Sequence, residues 1–485
     1  MNIGRDRAIA IALGIVVIAA RLPFVTQTLW EWDSVLYAGA LEHGFHVSAD
    51  FGDQRPHPPG YLLYVAAAAF ARAFLGNSNA ALVAIAILAS AGATVLVYLL
   101  ARRFARAEIA AFAALAFAVD PLVWAHGEIA LPYIVLALGS CGLALLFWDA
   151  RPGTDRQALA ASVAFGLAAG FRQDLLLLLG PLWLWSLSAG GPRRLAVGAL
   201  AVAAACLVWV IPSAILSGGL GEYVGAVLTQ SGSITGKSPI GASGGDALSY
   251  DLRFTVLALA WGLFAVGIVL LGLVLAPVIH WARRPRAPRA SARTAFFALW
   301  LLPGISVYVA WIIGDWGYVL SILPGLYVLC AALLERALGA ARPSALAAWR
   351  VGAIALLAGT AFVFVATPAR WSADLLRAHD RGVTERVAYV RGHFAPDGTV
   401  LLAREDYQLA RYYLSDYLAW LYDPARARTG EPPKSIPGTL VIFTPDLVLR
   451  QPISIAGPDP QAAGLTVITG SNVKLFGEYP IAREP

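Results

Sequence analysis

The chain has 485 residues, of which 59% are apolar and only 14% are charged, and its mean hydropathy is +0.67. Soluble globular proteins are usually about 45–50% apolar and about 25% charged, so this composition excludes a water-soluble enzyme and indicates an integral membrane protein. The net charge of +6 comes from arginines in short breaks between apolar runs, a pattern that reports membrane topology and does not suit nucleic-acid binding.

Apolar runs of nearly membrane-spanning length follow one another from the N-terminus to residue 366. A helix needs about 20 apolar residues to cross the hydrocarbon core. By that measure the sequence predicts a polytopic α-helical membrane protein with about 11 transmembrane helices. The runs are 8–24, 79–101, 107–124, 128–148, 156–171, 173–188, 194–217, 253–279, 294–313, 318–338 and 345–366.

The first outer loop, 25–78, contains one further apolar stretch, 61–75, that this topology does not count as a span. Counting it would place the arginine-rich break 283–293 outside, whereas Lys and Arg concentrate in cytoplasmic loops. The stretch is also short and carries Arg72. It therefore predicts a helix that lies along the outer membrane interface.

The distribution of basic residues places the N-terminus in the cytoplasm and predicts a multi-pass protein of the plasma (inner) membrane. The outer loops hold few basic residues, namely Arg55, Arg72, Arg172 and Lys237. Lys237 lies in a Gly- and Ser-rich stretch, 231–245, that predicts an outer loop. The breaks assigned to the cytoplasm carry Arg102, Arg103, Arg106, Arg151, Arg156, Arg193, Arg194, Arg283, Arg284, Arg286, Arg289, Arg293, Arg336 and Arg342.

The last part of the chain is polar and charged. Two alternating runs, 399–403 and 439–444, flank a helical stretch, 406–416, and together they predict a small α/β domain. An odd number of spans places this domain, 367–485, outside the cytoplasm. The chain is thus predicted to consist of a transmembrane domain, 1–366, and an extracytoplasmic C-terminal α/β domain.

Ionisable residues that could carry chemistry collect in the outer loops. The first loop holds Glu31 and Asp33, followed by Arg55 and His57 in a segment stiffened by three prolines within four positions. A carboxylate there could take a proton from a hydroxyl, and the cationic side chains could hold a phosphate. The later outer turns contribute His126, Glu128, Arg172, Asp174, Asp315 and Tyr318.

The order of these residues resembles that of the GT-C membrane glycosyltransferases. An early outer-loop Asp33, the His-Pro-Pro-Gly-Tyr element that begins at His57, and Arg172 in a short hairpin are most similar to the protein O-mannosyltransferase and aminoarabinose-transferase branch. The segment from Gly314 to Pro324 is similar to the Gly-Tyr-x-Leu-x-x-Leu-Pro segment of that branch. The resemblance covers residues 1 to about 366 and implies a GT-C-like catalytic domain.

The resemblance implies a glycosyltransferase that passes a sugar from a polyprenyl-phosphate donor to an acceptor hydroxyl at the extracytoplasmic face, with inversion. Its partners would be this donor, the lipid bilayer and a glycan, lipid or protein acceptor, without nucleic acid. The chain departs from many relatives at Ser34, where they have Glu. No cofactor is required, no metal ligands are assigned, and a divalent cation is compatible with the arrangement.

The site residues fall into three roles under this resemblance. Asp33 is expected to be the catalytic base. The donor phosphate is expected to contact His57, Arg172 and Arg55. The expected contacts of the acceptor or sugar are Glu31, Glu128, His126, Asp315 and Tyr318.

Each assignment has a structural alternative. Asp33 could be a solvated loop carboxylate, Arg172 could only pair with Asp174, and Glu128 could only stabilise the start of a helix. At the level of the whole protein, the alternatives are a secondary transporter or lipid flippase and a non-catalytic membrane assembly partner. The placement of the charged residues at the ends of spans, together with the soluble tail, favours the transferase.

Overall fold

The computed structural model describes residues 3–50, 53–241, 245–264, 266–273, 291–311, 314–339, 341–421, 434–435, 439–444, 466–469 and 474–475. The arginines predicted to be cytoplasmic at 283, 284, 286 and 289 lie outside the described residues. The helices up to residue 366 are α1 Ile3–Arg21, α2 Trp32–His43, α3 Leu62–Leu75, α4 Ser78–Ala101, α5 Ala107–Val119, α6 Pro121–His126, α7 Tyr133–Ala150, α8 Asp155–Ala169, α9 Asp174–Ser188, α10 Gly191–Leu216, α11 Leu220–Lys237, α12 Gly245–Gly262, α13 Gly267–Leu273, α14 Ala292–Ala310, α15 Leu323–Leu338 and α16 Pro343–Ala366.

Each predicted apolar run contains a helix, but many of these helices are shorter than a membrane span. Within the described residues, six helices are long and apolar enough to cross a membrane, namely α1, α4, α7, α10, α14 and α16. The number rises to seven if α12 and α13, which meet at 102°, count as one broken span. The predicted number of about 11 therefore includes short elements, such as α5 with 13 residues and α9 with 15 residues.

The predicted run 107–124 is interrupted because Asp120 ends α5 and starts α6. The Asp120 carboxylate accepts hydrogen bonds from the backbone N–H groups of Leu122 and Val123, and Pro121 occupies the first position of α6. Its second oxygen accepts a hydrogen bond from the Phe264 N–H at the break between α12 and α13. One buried carboxylate thus stabilises two helix breaks.

Helix α4 lies at the centre of the helical body and packs against α1, α3, α5, α7 and α15. Its buried face is rich in alanine, including Ala86, Ala89 and Ala93, and small residues allow helix backbones to approach closely. Tyr98 at the end of this face donates a hydrogen bond to the Asp6 carboxylate of α1 at 2.7 Å. The helices around α4 form one continuous apolar core.

Two helices lie where the sequence predicted loops. Helix α2 falls inside the predicted first outer loop, because the Ser34 hydroxyl accepts from the Glu31 N–H and donates to the Glu31 carbonyl, which fixes the first turn. Helix α11 continues to Lys237, well into the stretch 231–245. Helix α3 does form over the stretch predicted to be interfacial, and it leaves Phe70 and Phe74 exposed.

Within the described residues, the C-terminal part of the chain contains two helices and six strands, namely α17 Ala373–His393, β1 Thr399–Ala403, α18 Tyr407–Tyr413, β2 Leu418–Leu421, β3 Lys434–Ser435, β4 Thr439–Ile442, β5 Thr466–Thr469 and β6 Lys474–Leu475. Four of these strands form one sheet in the order β2-β1-β4-β5, in which β1 is parallel to β2 and β4, and β5 is antiparallel to β4. Strands β3 and β6 pair with each other in antiparallel orientation. Residues Leu401, Tyr407, Val441 and Phe443 belong to the buried core of the four-stranded sheet.

Helices α17 and α18 pack against the segment between α1 and α2. The Asp380 carboxylate accepts hydrogen bonds from the N–H groups of Gln27 and Thr28 at 2.8 and 2.9 Å. The Leu29 N–H donates to the Tyr413 hydroxyl at 2.8 Å. The C-terminal part of the chain and the segment that leads into α2 therefore lie on the same side of the helical body.

Candidate functional site

Helix α2 presents Asp33 from its first turn. The Ser34 hydroxyl is occupied by the Glu31 backbone, with distances of 2.8 Å to its N–H and 2.6 Å to its carbonyl oxygen. Ser34 therefore has a helix-capping role in this chain. The Asp33 side chain is 23% exposed and lines a cavity.

His57 faces Asp33 from the proline-rich segment. Gly60 in this segment has a φ of +95°, and a Cβ atom there would lie 2.4 Å from a methyl group of Val47, so the turn requires glycine. The His57 Nδ1 lies 2.9 Å from the Pro58 carbonyl oxygen and must donate to it, because a carbonyl can only accept. The Nε2 atom then faces the Asp33 Oδ2 at 3.5 Å.

The two partners stabilise each other's charged forms. Burial favours a neutral Asp33, but the charge and hydrogen bond of His57 and the charge of Arg172 outweigh burial and hold the pKa of Asp33 below its usual range. Burial likewise opposes a charged His57, yet the charge and hydrogen bond of Asp33 raise the pKa of His57 above its usual value. Asp33 therefore keeps its charge to lower pH than a free carboxyl group, and His57 holds its proton to higher pH than a free imidazole.

Arg172 enters the same cavity from the turn between α8 and α9. Its side chain is 2% exposed, and its Nη2 donates to the Asp174 Oδ2 at 3.0 Å. The guanidinium carbon lies 4.7 Å from the ring centre of Tyr61, 5.0 Å from that of Tyr133 and 5.6 Å from that of Tyr318. The ion pair with Asp174 thus forms, and both of its members still line the cavity.

The cavity has a volume of about 680 Å³ and combines a polar end with apolar walls. Five of the expected site residues line it, namely Asp33, Arg55, His57, Arg172 and Tyr318. Arg55 donates to the Gly44 carbonyl and lies 3.9 Å from the Asp53 carboxylate. The apolar walls come from α2, α9, α11, α14 and the residue that follows α14, and they include Leu36, Leu177, Leu178, Val227, Ile234, Val307 and Trp311.

The other four expected site residues do not line this cavity. Glu128 is fully buried and accepts a hydrogen bond from the Trp124 indole at 2.7 Å, within a structural cluster around the break after α6. The His126 Nε2 lies 3.8 Å from the Asp315 Oδ1, on a buried face that packs against Trp371. Glu31 caps α2 through its backbone. The acceptor or sugar contacts expected for Glu31, Glu128, His126 and Asp315 stay predictions.

The structure adds lining residues that sequence reasoning did not single out. Gln173 follows Arg172 in the turn before α9, and helix α11 contributes Gln230 and Ser231. The signal for Gln173 was present, because it lies between two charged residues in a break of apolar sequence. The contribution of α11 was hidden because its Gly and Ser content is typical of a loop. Within the described residues, no group of three or more His, Cys, Asp or Glu side chains could hold a metal ion.

No protein-family model matches the sequence, and no curated protein matches it either. Its structure is similar to the crystal structure of ArnT from Cupriavidus metallidurans in the apo state, with a TM-score of 0.59, 14% identity and coverage of 96% of this chain and 98% of that one. The crystal structure of ArnT bound to undecaprenyl phosphate gives a TM-score of 0.56, 13% identity and coverage of 96% and 97%. The chain shares the fold of these two structures over nearly the whole of both chains, as the motif resemblance predicted.

Proposed function

We propose that this protein is a membrane glycosyltransferase that moves a sugar from a polyprenyl-phosphate donor to an acceptor hydroxyl at the extracytoplasmic face. The observation that carries the proposal is the cavity in which Asp33, His57 and Arg172 meet. The shared fold supports it, because ArnT has been crystallised with undecaprenyl phosphate and is an aminoarabinose transferase. The proposed reaction needs a base, a cationic site for phosphate and an apolar wall, and the carboxylate, the cationic side chains and the apolar lining of this cavity support that proposal.

Asp33 is the proposed catalytic base. Its carboxylate takes the proton of the acceptor hydroxyl while the acceptor oxygen attacks the anomeric carbon of the sugar. The bond between that carbon and the donor phosphate oxygen breaks, and its electron pair leaves with the polyprenyl phosphate. Attack on the side opposite the phosphate inverts the anomeric carbon. The low pKa of Asp33 keeps the carboxylate ionised for this role.

The departing phosphate is proposed to be stabilised by His57 and Arg172. Negative charge develops on the phosphate oxygens as the bond breaks, and fixed cationic donors in a partly dry cavity stabilise such charge strongly. The raised pKa of His57 favours its protonated form. Arg55 also lines the cavity and is the third proposed contact of the phosphate. Tyr318, whose ring faces Arg172, is the remaining candidate for a sugar contact.

The polyprenyl chain is proposed to lie along the apolar wall of the cavity. Leu177 of α9, Val227 and Ile234 of α11, and Val307 of α14 form this wall. An isoprenoid chain can bind there only through burial of apolar surface, because it carries no hydrogen-bonding groups. The acceptor is a glycan, a lipid or a protein in this proposal.

We further propose that residues 1–366 form the transmembrane catalytic domain, and that residues 367–485 form a domain outside the cytoplasm. Asp380 contacts the segment that leads into α2, which supports a common side for the C-terminal part and the cavity. The arginine distribution supports a cytoplasmic N-terminus. In a chain without its native cysteines, Lys237→Cys should react with an impermeant reagent in intact cells and Arg103→Cys should not. Labelling of position 103 alone would reverse the proposed orientation.

The activity is tested with purified protein in lipid nanodiscs that contain undecaprenyl-phosphate-linked sugars and candidate acceptors. Mass spectrometry of the acceptors should show a mass increase of one sugar for the wild type and a loss of that product for Asp33→Asn. Membranes from cells with and without the gene supply the acceptor pool. Movement of donor lipid between leaflets without any glycosylated product would instead indicate a flippase.

A further inference from the structure

The turn between α8 and α9 places a second polar side chain in the cavity beside Arg172. Gln173 lines the cavity, and its Nε2 and Oε1 atoms are both buried without a hydrogen-bond partner among the described residues. A buried amide without partners costs free energy, and most buried polar groups in native proteins are hydrogen-bonded. Because the unpaired amide lies at the wall of a cavity, a bound ligand could form its missing hydrogen bonds.

The structural roles available to Gln173 are not used. It is the N-cap residue of α9, but its side chain makes no capping hydrogen bond. Its charged neighbours, Arg172 and Asp174, satisfy each other through two hydrogen bonds, Nε to Oδ1 and Nη2 to Oδ2. The ion pair therefore holds the turn in place without the amide, and Gln173 remains available to a bound molecule.

We propose that Gln173 is a specificity-determining residue that binds a hydroxyl group of the donor sugar, next to the phosphate held by Arg172. A primary amide donates and accepts hydrogen bonds at once, and a sugar hydroxyl does the same, so the two groups match without a charge on either. The inference rests on the proposed glycosyltransferase function. It adds that this part of the ligand is uncharged and hydroxylated.

The position of Gln173 limits which part of the donor it reaches. Arg172 and Gln173 are consecutive, so a ligand phosphate on the guanidinium places the group attached to that phosphate beside the amide. In a polyprenyl-phosphate sugar this group is the sugar ring on one side and the isoprenoid on the other. Only the sugar ring offers hydrogen-bonding groups.

The test compares two ligands on the same variant. Gln173→Ala should weaken binding of undecaprenyl-phosphate-linked sugar by about 5- to 10-fold, the effect of one or two neutral hydrogen bonds, and should leave binding of undecaprenyl phosphate unchanged. Gln157→Ala is the matched control, because Gln157 is an exposed glutamine at the start of α8 and does not line the cavity. It should leave both affinities unchanged. Arg172→Ala should weaken both ligands.

A second variant separates recognition from folding. Gln173→Leu keeps most of the side-chain volume and removes the unpartnered amide, so its unfolding temperature should equal or exceed that of the wild type while its affinity for the sugar-linked donor falls. A lower unfolding temperature for both Gln173→Leu and Gln173→Ala would show a structural residue and overturn the inference. An equal loss of affinity for undecaprenyl phosphate and for the sugar-linked donor would overturn it as well.

The outcome also separates this inference from the proposed function. If the wild-type protein neither binds undecaprenyl phosphate nor transfers a sugar, the proposed function fails, and the inference fails with it. If the wild type binds the donor and transfers its sugar, but Gln173→Ala equals it with every donor, only the role of Gln173 is wrong. A panel of donors that each lack one sugar hydroxyl then identifies the hydroxyl that the Gln173 amide binds. With the donor that lacks this hydroxyl, Gln173→Ala and the wild type should have equal affinity.

Discussion

Among the described residues, two carboxylate–imidazole pairs have similar distances and different surroundings. Asp33 and His57 lie 3.5 Å apart, with side chains 23% and 26% exposed, and both line the cavity. Asp315 and His126 lie 3.8 Å apart, but the His126 side chain is only 1% exposed. The Asp315 carboxylate accepts a hydrogen bond from the Gly317 N–H at 2.7 Å and caps a short 3₁₀ helix.

The difference shows that free space next to a pair, and not the pair itself, makes it a candidate for catalysis. Asp33 borders a cavity that Arg172 also lines. The second pair is covered by Trp371, whose ring centre lies 4.9 Å from that of His126. We therefore expect variants of the first pair to alter activity and variants of the second to alter stability.

The largest expected effect follows from Asp33→Asn. The substitution keeps the size of the side chain but removes the basic oxygen, so the rate of sugar transfer should fall by about 10²–10⁴-fold. The measurement is the initial rate with saturating undecaprenyl-phosphate sugar. The matched control, Asp315→Asn, should retain most of the rate. An equal loss of transfer rate in Asp33→Asn and Asp315→Asn would show that the two carboxylate–imidazole pairs do not differ in their importance for activity.

Arg172→Ala should reduce the affinity for undecaprenyl phosphate by roughly 10- to 150-fold, because one charge-assisted hydrogen bond contributes about 1.5–3 kcal/mol. The variant also leaves Asp174 without its partner, which lowers stability. The double variant Arg172→Ala with Asp174→Ala separates the two effects. It should recover the unfolding temperature without recovering donor affinity, and recovery of both would assign Arg172 a purely structural role.

The pH dependence tests the pairing of Asp33 with His57. The raised pKa of His57 adds stability that is complete below about pH 6.5 and is lost as the pH rises through the raised value. The lowered pKa of Asp33 adds stability that is present above about pH 3.9 and is lost as the pH falls through the lowered value. The difference in stability between the wild type and His57→Gln should therefore shrink as the pH rises through the raised pKa of His57.

The activity of His57→Gln should be lower than that of the wild type by about tenfold at pH 6, since a neutral amide replaces a cationic donor to the phosphate. The gap should narrow at high pH, where His57 loses its proton. Rate profiles of both proteins between pH 5 and 9 measure this difference. A gap that widens with pH would show that His57 acts in its neutral form.

The sequence predicted most helices because hydrophobic runs are a local property. The motif resemblance predicted that Asp33, His57 and Arg172 belong to one site. It could not separate His126 and Glu128 from that site. Their positions depend on contacts between distant parts of the chain, such as that of His126 with Trp371. Helix α2 was missed because its first turn is fixed by a serine that caps through the backbone, in a segment whose charge is typical of a loop.

The smallest expected effect concerns the contact between α17 and the segment that leads to Asp33. Besides the two backbone N–H groups, the Thr28 hydroxyl donates to Asp380 at 2.6 Å, and the Leu29 carbonyl lies 3.0 Å from the His379 Nε2. These contacts hold the chain just before α2, so Asp380→Ala should let Asp33, the proposed base, move relative to the proposed donor. Because Asp380 does not line the cavity, donor affinity should stay unchanged while kcat falls by about three- to tenfold, as expected for the loss of about one hydrogen bond.

Asp380→Asn provides the conservative comparison, since its remaining carbonyl oxygen can still accept one of the N–H groups, and it should recover part of kcat. Asp397→Ala, an exposed carboxylate elsewhere in the C-terminal part, should have no effect on either constant. Loss of folded protein also lowers the apparent kcat without changing KM, so both rates are divided by the amount of folded protein. A fall in kcat that remains after this division, with KM unchanged, is the result expected for a positioning residue. A loss of donor affinity in Asp380→Ala would instead mean that α17 affects the shape of the cavity. In that case α17 would do more than hold the segment before α2 in place.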